Sequence, residues 1–182
     1  MHIALLRGIN VGGHRKVPMA ELRALAENLG FRRVATYIQS GNLVFESDLA
    51  PATAAAKLET AIARRFGFPV DVVARTSAQW TAYARANPFT AESMREPERV
   101  MLLLSKAPPN AAGVAELAAR ATAGEMVKGA GDAVWIHYPT GLARTKLSPA
   151  LIDRLLGSPA TARNWRSVLA LQALLGTPSS RG

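Results

Sequence analysis

"RVATYIQSGNLVFES", residues 33–47, holds two runs rich in β-branched and aromatic residues, RVATYIQ (33–39) and NLVFES (42–47), on either side of Ser40-Gly41. Such a pair predicts a β-hairpin. Upstream, HIALLR (2–7) is apolar on both faces, as a central strand is. Leu22, Leu25, Ala26 and Leu29 then share one helical face, with Pro18 at the first helical position and Gly30 closing the helix. Downstream, PATAAAKLETAIARRFG (51–67) is an Ala-rich helix with Leu58 and Ile62 on one face, and PVDVVAR (69–75) alternates. The order β-α-β-β-α-β is the ferredoxin-like split βαβ pattern, an α+β fold with an antiparallel sheet. It requires strand 2–7 to pair with 42–47 and both helices to lie on one face.

The remainder reads as a looser, smaller α+β subdomain packed against the first. Helices are expected over 77–89 and 109–121, a buried strand over 99–105, and a hairpin around Gly131-Asp132. Two helices, 147–157 and 162–176, end it. Ser148 before Pro149 is an N-cap followed by a first-turn proline. The expected organisation is a ferredoxin-like subdomain over 1–76, a second subdomain over 77–176 and a flexible tail over 177–182. No internal repeat shows in the sequence.

Composition narrows the chemistry. There is no Cys, which removes disulfides, thiolate nucleophiles and Cys-ligated zinc. No His or acid pairs fall at metal-ligand spacing, so neither a metal nor a cofactor is expected. The five-residue apolar run near the start is too short for a signal peptide core, and no run of about 18 apolar residues exists. A cytoplasmic location with no membrane contact is the expectation. Lys plus Arg number 22 against 13 Asp plus Glu, a net charge of +9. No acid precedes Glu21, whereas Arg7, Arg15 and Lys16 do. From Leu142 onward, six basic residues face one acid, Asp153.

The stretch between the first strand and first helix, RGINVGGHRKVP (7–18), is rich in glycine and cations. In a split βαβ the ends of strands one and two share one sheet edge, so this loop should neighbour the turn Gln39-Ser40-Gly41-Asn42. Exposed backbone amides in such turns form anion-binding concavities, and Arg clamps phosphate through two donors. Arg7, Gly8, Asn10, Gly12, Gly13, Arg15, Lys16, Gln39, Ser40, Gly41 and Asn42 are therefore candidate anion-binding residues. Later in the chain, Arg144 and Lys146 approach a helix N-terminus, and Arg163 and Asn164 sit beside another, with Thr161 or Asn164 as its cap. Those four complete the candidate set, and the loop cations are expected to share a cleft with at least one of Arg144, Lys146 and Arg163. The alternative origin of the loop is a surface connection whose Gly and Asn residues only serve positive φ.

RGINVGG, KVPMAELRALAENLGF, VATYIQSGNLVFES, RTKLSPALIDRLLG and ATARNW together resemble the bacterial family known as domain of unknown function 1697. The resemblance runs to about residue 176. It implies an α+β protein of two small subdomains and no activity. Thr145-Lys146-Leu147 stands where that family commonly has Ser-Lys-Leu, and Arg166-Ser167 where it has Asn-Thr.

Several chemistries fail on spacing. The glycines at 8, 12 and 13 are not a dinucleotide fingerprint, and Lys16 is not followed by Ser or Thr as in a P-loop. Ser40 lacks the glycine before it that a nucleophile elbow needs. His14, the histidine near the loop, has no carboxylate beside it in sequence. An RNA-recognition sheet needs aromatics on strands one and three; Ala4 and Leu6 with Phe45 alone do not supply them. Ala4 and Leu6 imply instead a face covered by the second half or by another copy in a homodimer. The leading expectation is a protein binding a phosphate-bearing partner, either a nucleotide or nucleic-acid backbone. The alternatives are an enzyme on a small phosphorylated or carboxylated substrate, using Ser40, His14 or a Lys, and a structural homo-oligomeric module.

Overall fold

The computed structural model of the chain describes residues 1–176; the expected tail over 177–182 lies outside them. The first half runs β1 (His2–Leu6), α1 (Met19–Asn28), β2 (Arg32–Tyr37), β3 (Asn42–Glu46), α2 (Pro51–Phe66) and β4 (Val72–Thr76). The sheet order is β2-β3-β1-β4, with every neighbouring pair antiparallel. β1 pairs β3 with Ala4 opposite Leu43, as the split βαβ reading requires. Pro18 stands one position before α1 as its N-cap, and Gly67 closes α2 at φ 80°.

Alternation along the strands sorts the side chains. Ala4, Leu6, Leu43, Phe45, Val72 and Ala74 join Leu22 and Ala26 of α1 and Leu58 and Ile62 of α2 in one buried cluster. Ile3, Leu5, Val44 and Val73 point to the opposite face and are buried too. This corrects the face assigned from sequence. Ala4, Leu6 and Phe45 lie beneath the helices, so they do not report on the face an RNA-recognition module uses. That face carries Ile3, Leu5 and Val44, again without an aromatic.

The second half continues with α3 (Ser77–Arg85), α4 (Thr90–Arg95), β5 (Val100–Ser105), α5 (Ala111–Ala119), β6 (Met126–Ala130), β7 (Ala133–His137), α6 (Pro149–Leu156), β8 (Ala160–Asn164) and α7 (Trp165–Gly176). Its sheet order is β6-β7-β5-β8, again wholly antiparallel. Position for position this is the topology of the first sheet, so the protein contains the β-α-β-β-α-β unit twice. The sequence shows no repeat because a split βαβ demands only patterning, not shared residues. Leu103, Val134 and Ile136 meet Leu117 of α5 and Ile152 and Leu156 of α6 in its buried cluster.

Residues 162–164, expected to open the last helix, belong instead to β8. Thr161 and Arg163 are buried on one face of the strand, and α7 starts at Trp165 with no loop between. The Asn164 side chain accepts from the Ser167 amide at 3.0 Å. The first unit does the same at the end of β4, where the Thr76 hydroxyl accepts from the Gln79 amide at 3.2 Å. Each strand of this kind carries a buried arginine one residue earlier. Arg75 donates to its neighbour's carbonyl, Ala74 O, at 3.0 Å, and Arg163 to Ala162 O at 2.7 Å.

By contacts the chain divides into Met1–Thr81 with the described part of Ala170–Gly182, and Ala82–Leu169. The division falls five residues beyond the expected 76/77 boundary, and α7 begins in one unit and ends in the other. Within the first unit, Thr81 and Gln172 exchange hydrogen bonds at 3.1 and 3.2 Å.

In the second unit α5 lies against α6 at Gly113. A Cβ there would fall 1.7 Å from the Leu155 carbonyl oxygen. Backbone cannot yield as a flexible side chain does, so Gly113→Ala is expected to destabilise the protein by about 1–3 kcal/mol or more. A thermal melt measures it. An unchanged midpoint would mean that the two helices are not in contact.

Candidate functional site

The loop from β1 to α1 is held, not loose. Leu6 N donates to Gly41 O at 2.8 Å and Arg7 N to Asp71 O at 2.9 Å, so the chain leaves the sheet bonded on both sides. Asn10 then carries the fold of the loop. Its Nδ2 donates to Val17 O at 3.0 Å and to Gln39 O at 2.8 Å, while its Oδ1 accepts from Val17 N at 2.8 Å. One side chain thus closes the loop's base and ties it to the β2–β3 turn. The two turns are neighbours at one edge, as the topology demanded. Gly41 permits the approach: a Cβ there would lie 2.7 Å from Leu6 Cβ and from Ile9 Cδ1.

At the tip, His14 N donates to Val11 O at 3.1 Å, closing a tight turn over Gly12 (φ 59°) and Gly13 (φ 79°). Positive φ at both central residues is the type I′ arrangement, which glycine adopts without steric cost. Among the described residues the Gly12 and Gly13 amides donate to no protein atom. Val11 to Lys16 are all exposed. Arg15, at φ 50°, lies 5.9 Å from the Phe68 ring centroid.

The structure sorts the other nominated residues of this edge by what they already do. Arg7 faces Asp71 at 3.5 Å, an acid that sequence distance concealed. Asn42 is fully buried, its Nδ2 donating to Tyr37 O and to Ser40 Oγ, both at 2.9 Å. The Gly41 carbonyl holds β1. Gly8, Gly12, Gly13, Arg15, Lys16 and Gln39 are exposed. Ile38 beside them is a β-branched residue at φ 47°, a strained conformation, and half exposed.

In the second unit Arg144 and Lys146 are exposed around a 3-10 turn over Leu142–Arg144. Between them, the Thr145 hydroxyl donates to Glu125 Oε1 and accepts from Leu147 N at 3.1 Å. Ser148 caps α6 by accepting from Leu151 N. Arg163 is not a surface cation. It is buried on β8, its Nη1 donating to Thr161 Oγ1 at 2.9 Å, and loss of solvent pulls its guanidinium down to about 10. Asn164 is engaged as the α7 cap.

Two acidic clusters in this unit escaped the sequence reading. Burial pushes the Glu125 carboxyl up, but donors from Thr145, its own amide and Ala123 outweigh it and hold the group below its usual range. Burial and the Glu125 carboxylate together push the Tyr138 phenol up to about 12. The hydroxyl at 145 was the available signal. The second cluster joins Glu96 to Arg99 at 2.7 Å and to His137 Nε2 at 3.3 Å. His137 is buried and its Nδ1 has no partner among the described residues. No group of three or more acids or histidines suited to a metal occurs among the described residues, and no described helix is long and apolar enough to cross a membrane.

Residues 1–135 match a family model described as a protein of unknown function (DUF1697). The conserved bacterial protein SP0830 from Streptococcus pneumoniae is similar in structure, with a TM-score of 0.73 and 27% identity over 96% of this chain and 97% of that one. No curated protein matches.

Asn10→Ala removes three hydrogen bonds at the loop base and should cost about 1–3 kcal/mol. Hydrogen exchange at the Val17 amide should quicken with it; an unaltered rate would remove Asn10 from that role. Tyr138 offers a titration. Its folded pKa of about 12 exceeds the unfolded value near 10. Its contribution is therefore complete below pH 10 and lost as pH rises through 12, about 2–3 kcal/mol in all. Phenolate absorbance should show one of the three tyrosines ionising last. Tyr138→Phe should delete that step and flatten the fall in stability; a late step that survives belongs to another tyrosine.

Proposed function

The chain belongs to the family of proteins of unknown function DUF1697, and we propose that it works as a binding protein for a phosphate-bearing ligand at the loop edge of the first unit. The observation that carries this reading is the tip of the loop. Two glycine amides with no acceptor among the described residues stand beside Arg15 and Lys16, on a base that Asn10 ties with three hydrogen bonds. Preset amides and adjacent cations form a nest for an anion at little ordering cost. Rigidity matters because an unstructured glycine loop would lose most of its binding energy to entropy.

Binding is favoured over catalysis by what surrounds the tip. His14 is exposed, among the described residues it faces no carboxylate, and Asp71 is engaged by Arg7. Arg144 and Lys146 remain candidate anion contacts of the second unit; Arg163 and Asn164 serve it as buried and capping residues. Two phosphate sources fit the tip, a free nucleotide and nucleic-acid backbone, and the +9 charge favours either. Base stacking on the first sheet is not the mode, since Ile3, Leu5 and Val44 are buried there.

Pyrophosphate and a nucleoside triphosphate are the small probes, and a single-stranded oligonucleotide is the polymer. Ligand at about 100 times its Kd should add about 2.7 kcal/mol of stability, a rise of several degrees in Tm. Arg15→Ala with Lys16→Ala should abolish the rise and leave the unliganded melt almost unmoved. For the oligonucleotide, the salt dependence should lose a slope of about one for each cation removed. A ligand-induced rise that survives the double substitution, or none with any phosphate, contradicts the reading.

A further inference from the structure

On the outer side of the first unit, α1 and α2 leave an open groove of about 630 Å³. Leu25 contributes from α1 and Leu29 from the cap that follows it; Ala56, Thr60 and Ala61 are among the residues that line it from α2, and the lining is overwhelmingly apolar. The groove is distinct from the core below it, which takes Leu22, Ala26, Leu58 and Ile62 from the same helices. Its charge is one-sided. Lys57 and Arg64 line it, are exposed, and among the described residues pair with no carboxylate. Arg65 is matched to Glu21 at 2.6 Å. The acid in α2, Glu59, accepts from the Val72 amide at 2.7 Å and is not among the residues that line the groove. The Thr60 hydroxyl is returned to the Ala56 carbonyl at 3.0 Å. What faces outward is an apolar trough flanked by two uncompensated cations seven positions apart, about two helical turns or ~10 Å.

We propose that this groove docks an acidic amphipathic helix of a partner protein. A trough between two packed helices is the shape that a third helix fills, ridge into groove, and small residues at Ala56, Thr60 and Ala61 let its axis come close. An isolated small ligand is a poorer fit, because pockets for such molecules enclose most of their surface and this one is open. A second copy of this chain is disfavoured: its equivalent helices would bring cations against Lys57 and Arg64 in a protein already at +9. The occupant is therefore a helix with apolar residues at i, i+4 and i+7 and Asp or Glu flanking them.

The test uses the full chain and a stapled helical peptide of about 18 residues, Leu and Ala on one face and Glu beside them, read by fluorescence anisotropy. A control peptide has each Glu replaced by Lys and the same apolar face. The Glu peptide should bind, less tightly as salt rises. Lys57→Glu with Arg64→Glu should weaken it about tenfold or more. Ala56→Arg places a long side chain in the trough at an exposed position that suits a helix, so it should abolish binding with the melt unchanged. Lys16→Ala, in the anion loop, should leave peptide binding intact, which separates this site from that one. Equal binding of the Lys peptide, no binding of the Glu peptide, or undiminished binding to Ala56→Arg overturns the proposal.

Discussion

The exit of β1 is the constraint from which the candidate edge follows. β1 lies between β3 and β4, is buried on both faces, and ends with a backbone bond to each side: Leu6 N to Gly41 O and Arg7 N to Asp71 O. A slip of one residue would place Leu5 where Ala4 packs beneath the helices, overfilling a dense core. The departure point of the loop is thus fixed to a single residue. From there Ile9 is buried against Gly41 and Asn10 reaches both Val17 and Gln39. The exposed tip inherits its position from the sheet, not from its own sequence.

The first half was legible because each signal was local and agreed with the next. Ser40-Gly41 between two β-rich runs gave the hairpin, and alternation gave the strands. Gly67 marked the end of α2. The second half was read in outline only. ATARN and WRSVLALQALLG merge without a breaker, since Asn164 is both the last strand residue and the helix cap. A direct strand-to-helix junction leaves no turn residue to see. The duplicated unit was hidden for a related reason: equivalent positions hold Arg75 and Arg163 but otherwise share pattern more than identity.

At the candidate site the sequence identified the two turns and their proximity but not the division of labour within them. Asn10 and Asn42 were nominated as ligand contacts by residue type. The structure employs their amides as donors that close the loop and the turn. Arg163 reads as a cation and is buried, because the strand that carries it was not foreseen. Asp71 reaches Arg7 from 64 positions away, a pairing that topology makes and local reading cannot. The two copies of the fold also differ where it matters. The first unit joins its first strand and helix through Arg7 to Pro18. The second does so through Lys106 to Asn110, with two prolines, and uses Ser105 and Ser158 to bind the Ala107 backbone. One scaffold thus carries a presented loop and a closed one, so the two loops are not interchangeable although the fold around them is the same.

The central claim is that the tip of this loop is a preset anion nest. Amide chemical shifts followed while the full chain is titrated with inorganic pyrophosphate test it most directly. The account predicts saturable shifts centred on Gly12, Gly13 and Lys16, with the Val17 amide holding its exchange rate because the base does not move. Shifts spread over the basic surface without saturation, or confined to the second unit, would contradict it.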